Sequence, residues 1–587
     1  MALFTPSQSP AVVIKEIDAT GGVPNVQTST GAFVGKFDWG PTSQRKFVSN
    51  EQELINEFGR PIDSDSGNFI SASYFLRYSN SMFVVRGVDS DSAKNAGFTF
   101  GDSAVPKAGS ARSLIGNETV FENTILSDST VAIARYPGKL GNSIAIDICP
   151  RTTANAAFDG WQFKDKFDNA PKTSSYDSDR DGQHTECHVV VYDKDGLITG
   201  TKKTVLEAYP YLSVAKGSKN ADGTTNFIKD VINERSDYVY FNTFDSGKGD
   251  NLLTDLTPGT SKTFIDSGTF DSVETYNLTL GNSGKALGKS EYLNEFGQFH
   301  DTEQVEVDFL IAPDLDSSDH TTVVNDLVSV AQSTRKDCIV VASPQRKSIV
   351  GEPNPATITT NIIADRNGIT KSSYLVMDGN YLKVYDKFND KFIQIPAASS
   401  TAGLMAATDR TAAPWFSPAG ARRGQYLGIT GIDYNPTKSQ RDTLYAKGVN
   451  PITNIAGGGV TLFGDRTMLE RPSAFDRINV RRLFLTLERA IGRAAQNVLF
   501  EFNDEFTRTE FVNVIEPVLR DVKGRRGITD FRVVADETVN TPAVIDRNEF
   551  IANIFIKPAR SINFVTLNFV AVRTGVSFEE VAGGVGV

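Results

Sequence analysis

Two apolar runs flanking a helical stretch constrain this chain more than any other feature. Residues 305–314 (VEVDFLIAPD) and 337–344 (DCIVVASP) are strand-like, and TTVVNDLVSVAQSTR between them has helical spacing. Strand, crossover helix and strand make a βαβ unit, in which the strands are parallel and covered on both faces; each run accordingly holds a continuous apolar stretch, FLIA in one and CIVVA in the other. The start of the chain adds to the same kind of layer. TSTGAFVGKFDWGP (28–41) reads as a strand ending in a turn. SNEQELINEFGRP (49–61) reads as a capped helix, with Ser49 and Gln52 at capping-box spacing, Leu54, Ile55 and Phe58 on the apolar side, and Gly59 and Pro61 as the stop. A helix over about 69–78 and a strand at 82–88 (MFVVRGV) follow.

A length of 587 residues exceeds what one hydrophobic core can organise, and about three or four domains are expected. The polar, small-residue stretch 93–130 marks an insertion boundary. Beyond it, HVVVYDKDGLITGTKKTV predicts a hairpin around the turn Asp195-Gly196. KSSYLVMDGNYLKVYDKFNDKFIQIP is hairpin-like, and 396–424 (PAASSTAGLMAATDRTAAPWFSPAGARRG) reads as a loop-rich block. Helices over about 477–501 and 504–522 precede strands in FRVVADE, EFIANIFIKPA and SINFVTLNFVAVRTG. At the two ends lie short strands beside glycines. SPAVVIKEID (9–18), with Val12, Val13, Ile14 and Ile17, precedes Gly21 and Gly22, and SFEEV (577–581), with Phe578 and Val581, precedes Gly583 and Gly584.

The second of the late helices is preceded by the segment with the most distinctive charge pattern. At about 100° per residue Arg482, Arg489 and Arg493 share one helical face, while Leu483, Leu487, Ala490, Ile491, Ala494 and Val498 gather on another. Residues 471–526 carry eleven basic and eight acidic side chains, a local balance of +3 in a chain whose net charge is −11. Taken alone, this stripe is the solvated face of a surface helix.

Several functions are disfavoured. A pI near 5.2 argues against nucleic acid, which needs an extended basic surface. No membrane span or export signal is legible, and three distant cysteines, Cys149, Cys187 and Cys338, suit a reducing compartment. GNSGKALGKS (281–290) ends like a phosphate-binding P-loop, but Gly284 leaves one residue too few between the glycines. DSDRDG (177–182) has oxygen ligands at alternate positions, yet the twelfth position is His188 instead of a bidentate Glu. In HTECH (184–188), strand geometry would put His184, Glu186 and His188 on one face with Cys187 opposite. No nucleophile motif accompanies His184, His188, His300 or His320, so no catalytic constellation, cofactor or metal is expected.

Nine segments in order, SPAVVIKEID, TSTGAFVGKFDWGP, SNEQELINEFG, ARYPGKLGN, EAYPYLSVA, RKDCIVVASP, AATDRTAAPWFSPAG, LFGDRT and SAFDRINVRRLF, resemble the contractile tail sheath proteins of myophages. The resemblance implies an α+β, multidomain fold: a mixed-sheet core built from both chain ends, with inserted outer β-rich and α/β domains. Its expected divisions are an arm at 1–22 joined with a tube-proximal core at 465–587, a middle α/β domain from 23–92 and 336–464, an insertion at 93–335, and a C-terminal arm at 575–587. It also implies a structural subunit of a virion tail, assembled in the host cytoplasm as stacked hexameric rings around a tail tube protein. Baseplate and tail terminator proteins are its further partners, with neither nucleic acid nor membrane insertion. Contraction would follow triggering at the baseplate. The expected tube-facing residues are Arg482, Arg489 and Arg493, as exposed, salt-sensitive pairs. The terminal strands would add to neighbouring subunits' sheets, with Gly21, Gly22, Gly583 and Gly584 as hinges. A related contractile injection particle is the nearest alternative, and a nucleotide-binding enzyme using 284–290 the more distant one.

Overall fold

The apolar runs become the middle of a seven-stranded sheet. The computed structural model describes residues 29–62, 66–99, 114–124, 130–152, 155–242, 262–263, 272–455 and 457–563, and divides into the units Met1–Asn497 and Val498–Val587. In the first unit, in chain order, β1 (Gly31–Lys36), β2 (Arg45–Val48), α1 (Glu51–Phe58), α2 (Ser66–Leu76) and β3 (Met82–Gly87) form the start. The sheet then resumes with α3 (Lys289–Phe296), β4 (Phe309–Ile311), α4 (Ser317–Ser329), β5 (Ile339–Ala342), α5 (Pro355–Gly368) and β6 (Leu375–Asp378). A hairpin of β7 (Tyr381–Asp386) and β8 (Lys391–Pro396), then α6 (Ala398–Thr411), β9 (Val449–Asn450) and α7 (Ile478–Gln496) complete it.

The strand order is β9–β6–β5–β4–β1–β3–β2, and only β2 runs antiparallel to its neighbour. Alternate residues feed two cores. Phe33, Phe309, Ile311, Ile339, Val341 and Val376 face one cluster with Phe75 of α2 and Met405 of α6. Ala32, Val34, Leu310, Val340 and Met377 face the other with Phe296, Val324, Leu327 and Ile362. The expected βαβ unit is β4–α4–β5, parallel as read.

Three expectations differ in detail. The helix 51–58 is capped by Asn50, whose side chain accepts the Glu53 N–H, while Ser49 donates to the Glu53 carboxylate; the box sits one residue later than read. The block 396–424 holds the 14-residue helix α6, and its first residues are buried on all sides. Ala, Ser, Thr and Gly dominate it, so it carries no one-sided apolar stripe to betray a helix. Lastly, α3, β4 and α4, read as part of the insertion 93–335, belong to the central sheet, and α7 belongs to the first unit, not with 498–587.

The two larger sheets of the insertion between β3 and α3 are antiparallel. One sheet runs Val239–Phe241, Thr130–Pro137, Asn95–Thr99; another runs Glu274–Asn277, Ile144–Pro150, Glu186–Asp193, Thr204–Ser213. The turn at Asp195-Gly196 lies in a longer connection (194–203), held where the Asp193 carboxylate accepts the N–H groups of Gly196, Ile198 and Thr199. Arg86, fully buried at the end of β3, stitches insertion to sheet: it donates to the carbonyls of Phe37 (2.8 Å), Gly40 (2.6 Å) and Pro137 (2.5 Å). A buried guanidinium is tolerated where carbonyl oxygens meet its N–H groups.

The second unit contains α8 (Glu505–Gly524), capped by Asp504, and an antiparallel hairpin of β10 (Ile528–Val534) and β11 (Asn553–Pro558). Phe531 lies opposite Ile556 and Val533 opposite Ile554 on one face; Arg532 lies opposite Phe555 on the other.

Candidate functional site

The arginine helix begins where Arg477 pairs with Asp465 at 3.0 Å and also donates to the Tyr445 hydroxyl. As read, Leu483, Leu487, Ala490 and Ala494 are buried. Arg482, Arg489 and Arg493 do lie along one side, but that side faces protein. Arg482 makes a bidentate pair with Asp409, both distances 2.5 Å, donates to the Met405 carbonyl at 3.1 Å, and lies 4.9 Å from the Phe309 ring centre. Arg489 donates to Asp308 at 2.6 Å and to the carbonyls of Asp337 (2.8 Å) and Val307 (3.2 Å). Arg493 pairs with Glu306.

The expected exposed stripe is therefore corrected. The Arg482 and Arg489 side chains are only 5% and 8% exposed, and Arg493, at 28%, is the accessible member. The physical reason is complementary carboxylates far away in sequence that a helical wheel cannot reveal. Burial pushes the Asp308 carboxyl up, opposed by Arg489; burial alone would lower Arg489, but the Asp308 and Asp337 carboxylates outweigh it and raise it. Asp308 also accepts the Thr30 N–H at 2.9 Å, so one carboxylate ties α7 to the residue leading into β1. Arg481, not singled out from sequence, lies between Tyr374 and Phe475, 4.3 and 4.1 Å from their ring centres.

The other sequence candidates resolve individually. In the loop 281–288, the Gly284 carbonyl accepts Lys36 Nζ at 2.9 Å, Ser283 donates to Asp38 at 3.0 Å, and the Gly288 N–H is taken by Glu291. This loop is thus tied to the carboxyl end of β1 through Lys36 and Asp38. In DSDRDG, Asp177 turns inward to accept the hydroxyls of Thr185 (2.5 Å) and Ser213 (2.7 Å), away from exposed Asp179 and Asp181. His188 is buried with Nε2 2.8 Å from the Asn169 carbonyl and Nδ1 accepting the Tyr211 N–H; burial lowers its pKa. His320 is buried against the Ser343 carbonyl. Cys149, Cys187 and Cys338 are buried thiols whose pKa burial raises. Among the described residues no group of three His, Cys, Asp or Glu is placed to hold a metal, and no helix is long and apolar enough to cross a membrane.

Among the described residues, β10 and β11 pair with each other in a two-stranded antiparallel hairpin. The strand residues expected to add to neighbouring subunits' sheets, Val12, Val13, Ile14, Ile17, Phe578 and Val581, lie outside the described residues, as do Gly21, Gly22, Gly583 and Gly584.

The body is a mostly parallel sheet with an inserted region, and the second unit is a helix with an antiparallel hairpin. Two family models match: the phage tail sheath protein central domain over residues 285–468 and the phage tail sheath C-terminal domain over 470–571. The tail sheath protein of Enterobacteria phage T4 is 30% identical, the alignment covering 98% of this chain and 99% of that protein; that of Vibrio phage KVP40 is 31% identical, with the same coverage. The chain belongs to the phage tail sheath family. Its fold is similar to the sheath tail protein Lin1278 from Listeria innocua (TM-score 0.53, 13% identity, 92% of this chain and 94% of that one). It is likewise similar to the sheath tail protein DSY3957 from Desulfitobacterium hafniense (TM-score 0.51, 13% identity, 94% and 100%).

Proposed function

We propose that this chain is the structural subunit of a contractile phage tail sheath, polymerising as stacked hexameric rings around a tail tube and shortening when the baseplate triggers it. The observation that carries this reading is near-full-length kinship with tail sheath proteins in a chain whose second unit holds an antiparallel hairpin. Strands near the ends, 9–18 and 577–581, add to the hairpin of neighbouring copies, with Gly21, Gly22, Gly583 and Gly584 as hinges. Each added strand forms about four backbone hydrogen bonds at roughly 0.5–1.5 kcal/mol net each, a modest gain repeated at every subunit. Contraction is then a rigid-body exchange between two packings that leaves the donated strands paired.

Of the three arginines expected at the tube, Arg493 is the member within reach of a tube carboxylate; Arg482 and Arg489 act by fixing the helix that leads into the second unit. No chemistry is assigned to the protein, and baseplate and terminator proteins are its partners at the ends of the polymer. The test is removal of residues 1–20 or of the last twelve. Polymers vanish while soluble monomers with an unchanged circular dichroism spectrum remain. Filaments from either truncated chain would refute donation of that end.

A further inference from the structure

The turn joining α7 to α8 exposes four large apolar side chains in eight residues: Leu499 (63%), Phe500 (105%), Phe502 (84%) and Phe506 (75%). Such a cluster is unusual on a protein that stays alone in water. Phe500 is held at φ +71°, a left-handed conformation that is strained for a non-glycine residue, and its side chain is fully exposed. The turn is fixed in place nonetheless: Asn503 donates to the Glu549 carbonyl at 2.7 Å, and Arg508, buried, donates to the Asn503 carbonyl and side chain.

This aromatic knob is also acidic. Residues 499–510 hold Glu501, Asp504, Glu505 and Glu510 against Arg508 alone, a balance of −3. The other end of the same unit has the opposite sign. Residues 516–532 together with 553–560 hold seven basic side chains against three acidic ones, a balance of +4. There the outer face of the hairpin presents Phe555, 58% exposed, with Arg532 directly across the ladder; Lys557, two residues on, faces Asp530 at 3.6 Å, and that carboxylate also meets Lys523 at 3.3 Å, so the face keeps a cationic excess around a single acid. Phe502, Phe506 and Phe555 are all exposed among the described residues.

We infer that the knob of one copy seats on the hairpin face of a second copy of this chain. The contact is head to tail: two different patches of one unit meet, as in assemblies that close into rings or propagate as helices. It uses side chains on a sheet face, not backbone groups at a strand edge, and so goes beyond strand donation. Burial of the phenylalanines supplies the attraction, and the opposite charges fix which patch meets which.

The test uses the full chain and measures the concentration needed for pelletable polymer. E501K/E505K and R532E/K557E, all at surface positions, each raise it at least tenfold, and the chain carrying all four substitutions returns to within about threefold of wild type. The single substitution Phe500→Gly, which relieves the strain and removes the ring, also raises it. Unchanged polymerisation in both charge-reversed chains, or no recovery in the fourfold variant, overturns the inference. So does a knob variant that polymerises normally but no longer sediments with purified tail tubes, since the occupant is then the tube protein. A wild-type chain that never polymerises contradicts the sheath reading itself.

Discussion

Two buried ionisable groups give the sharpest tests at the scale of single residues. Asp378, at the end of β6, accepts the hydroxyls of Ser343 at 3.1 Å and Thr401 at 3.2 Å, and burial raises its pKa from 3.8 to about 8. Between those values the unfolded chain is ionised while the folded one keeps its proton, so stability is greatest on the acid side. It declines by up to about 1.4 kcal/mol per pH unit as pH rises. Melting temperatures from pH 5 to 9 in wild type and Asp378→Asn check this: the variant has the flatter profile and the higher melting point at pH 8. A steeper profile in the variant would contradict it. Arg482 is the second group. Arg482→Ala leaves Asp409 buried without its partner and lowers stability by about 3–5 kcal/mol, whereas R482M/D409L, which removes both charges, stays within about 1 kcal/mol of wild type or exceeds it. Chemical denaturation measures both. By contrast Arg493→Glu leaves the fold intact and weakens sedimentation with tail tubes, increasingly so as salt is lowered, because like charges are least screened there.

At the scale of elements, the helix pair α2 and α6 tests the packing of the central sheet. A Cβ on Gly403 would lie 2.4 Å from the Tyr78 ring, which is buried and receives the Leu427 N–H on its hydroxyl. Gly403→Ala therefore lowers stability by about 1–3 kcal/mol through overpacking, although alanine is the better helix former; a rise in melting temperature would contradict the close approach. How much could be read beforehand follows the physics of each element. The βαβ unit β4–α4–β5 was legible because buried parallel strands carry unbroken apolar runs. The helix α6 was not, because a helix enclosed on every side has no polar face to set its period. The candidate site repeats that division. One helical face correctly gathered Arg482, Arg489 and Arg493, but their partners Asp409, Asp308 and Glu306 stand 73, 181 and 187 residues away, so burial was out of reach of any local pattern. The aromatic turn was also passed over, since Leu499, Phe500, Phe502 and Phe506 look like core residues until their exposure is known.

At the scale of the molecule, two units divide the work of a sheath. The first is a mostly parallel-sheet body with an inserted region, stiffened by buried arginines; the second holds the hairpin β10–β11 that the proposed strand donation uses. A polymer that shortens without dissolving needs both, because rigid bodies must move while some contacts persist. The central claim is that residues 9–18 and 577–581 of one copy complete the hairpin β10–β11 of others. Electron cryomicroscopy of the polymer formed by the purified full-length chain measures this directly. The account predicts a hollow helical tube in which those segments run as strands alongside the hairpin of neighbouring subunits. Density showing each chain's ends folded back on its own hairpin, within a tube of otherwise similar form, would contradict it.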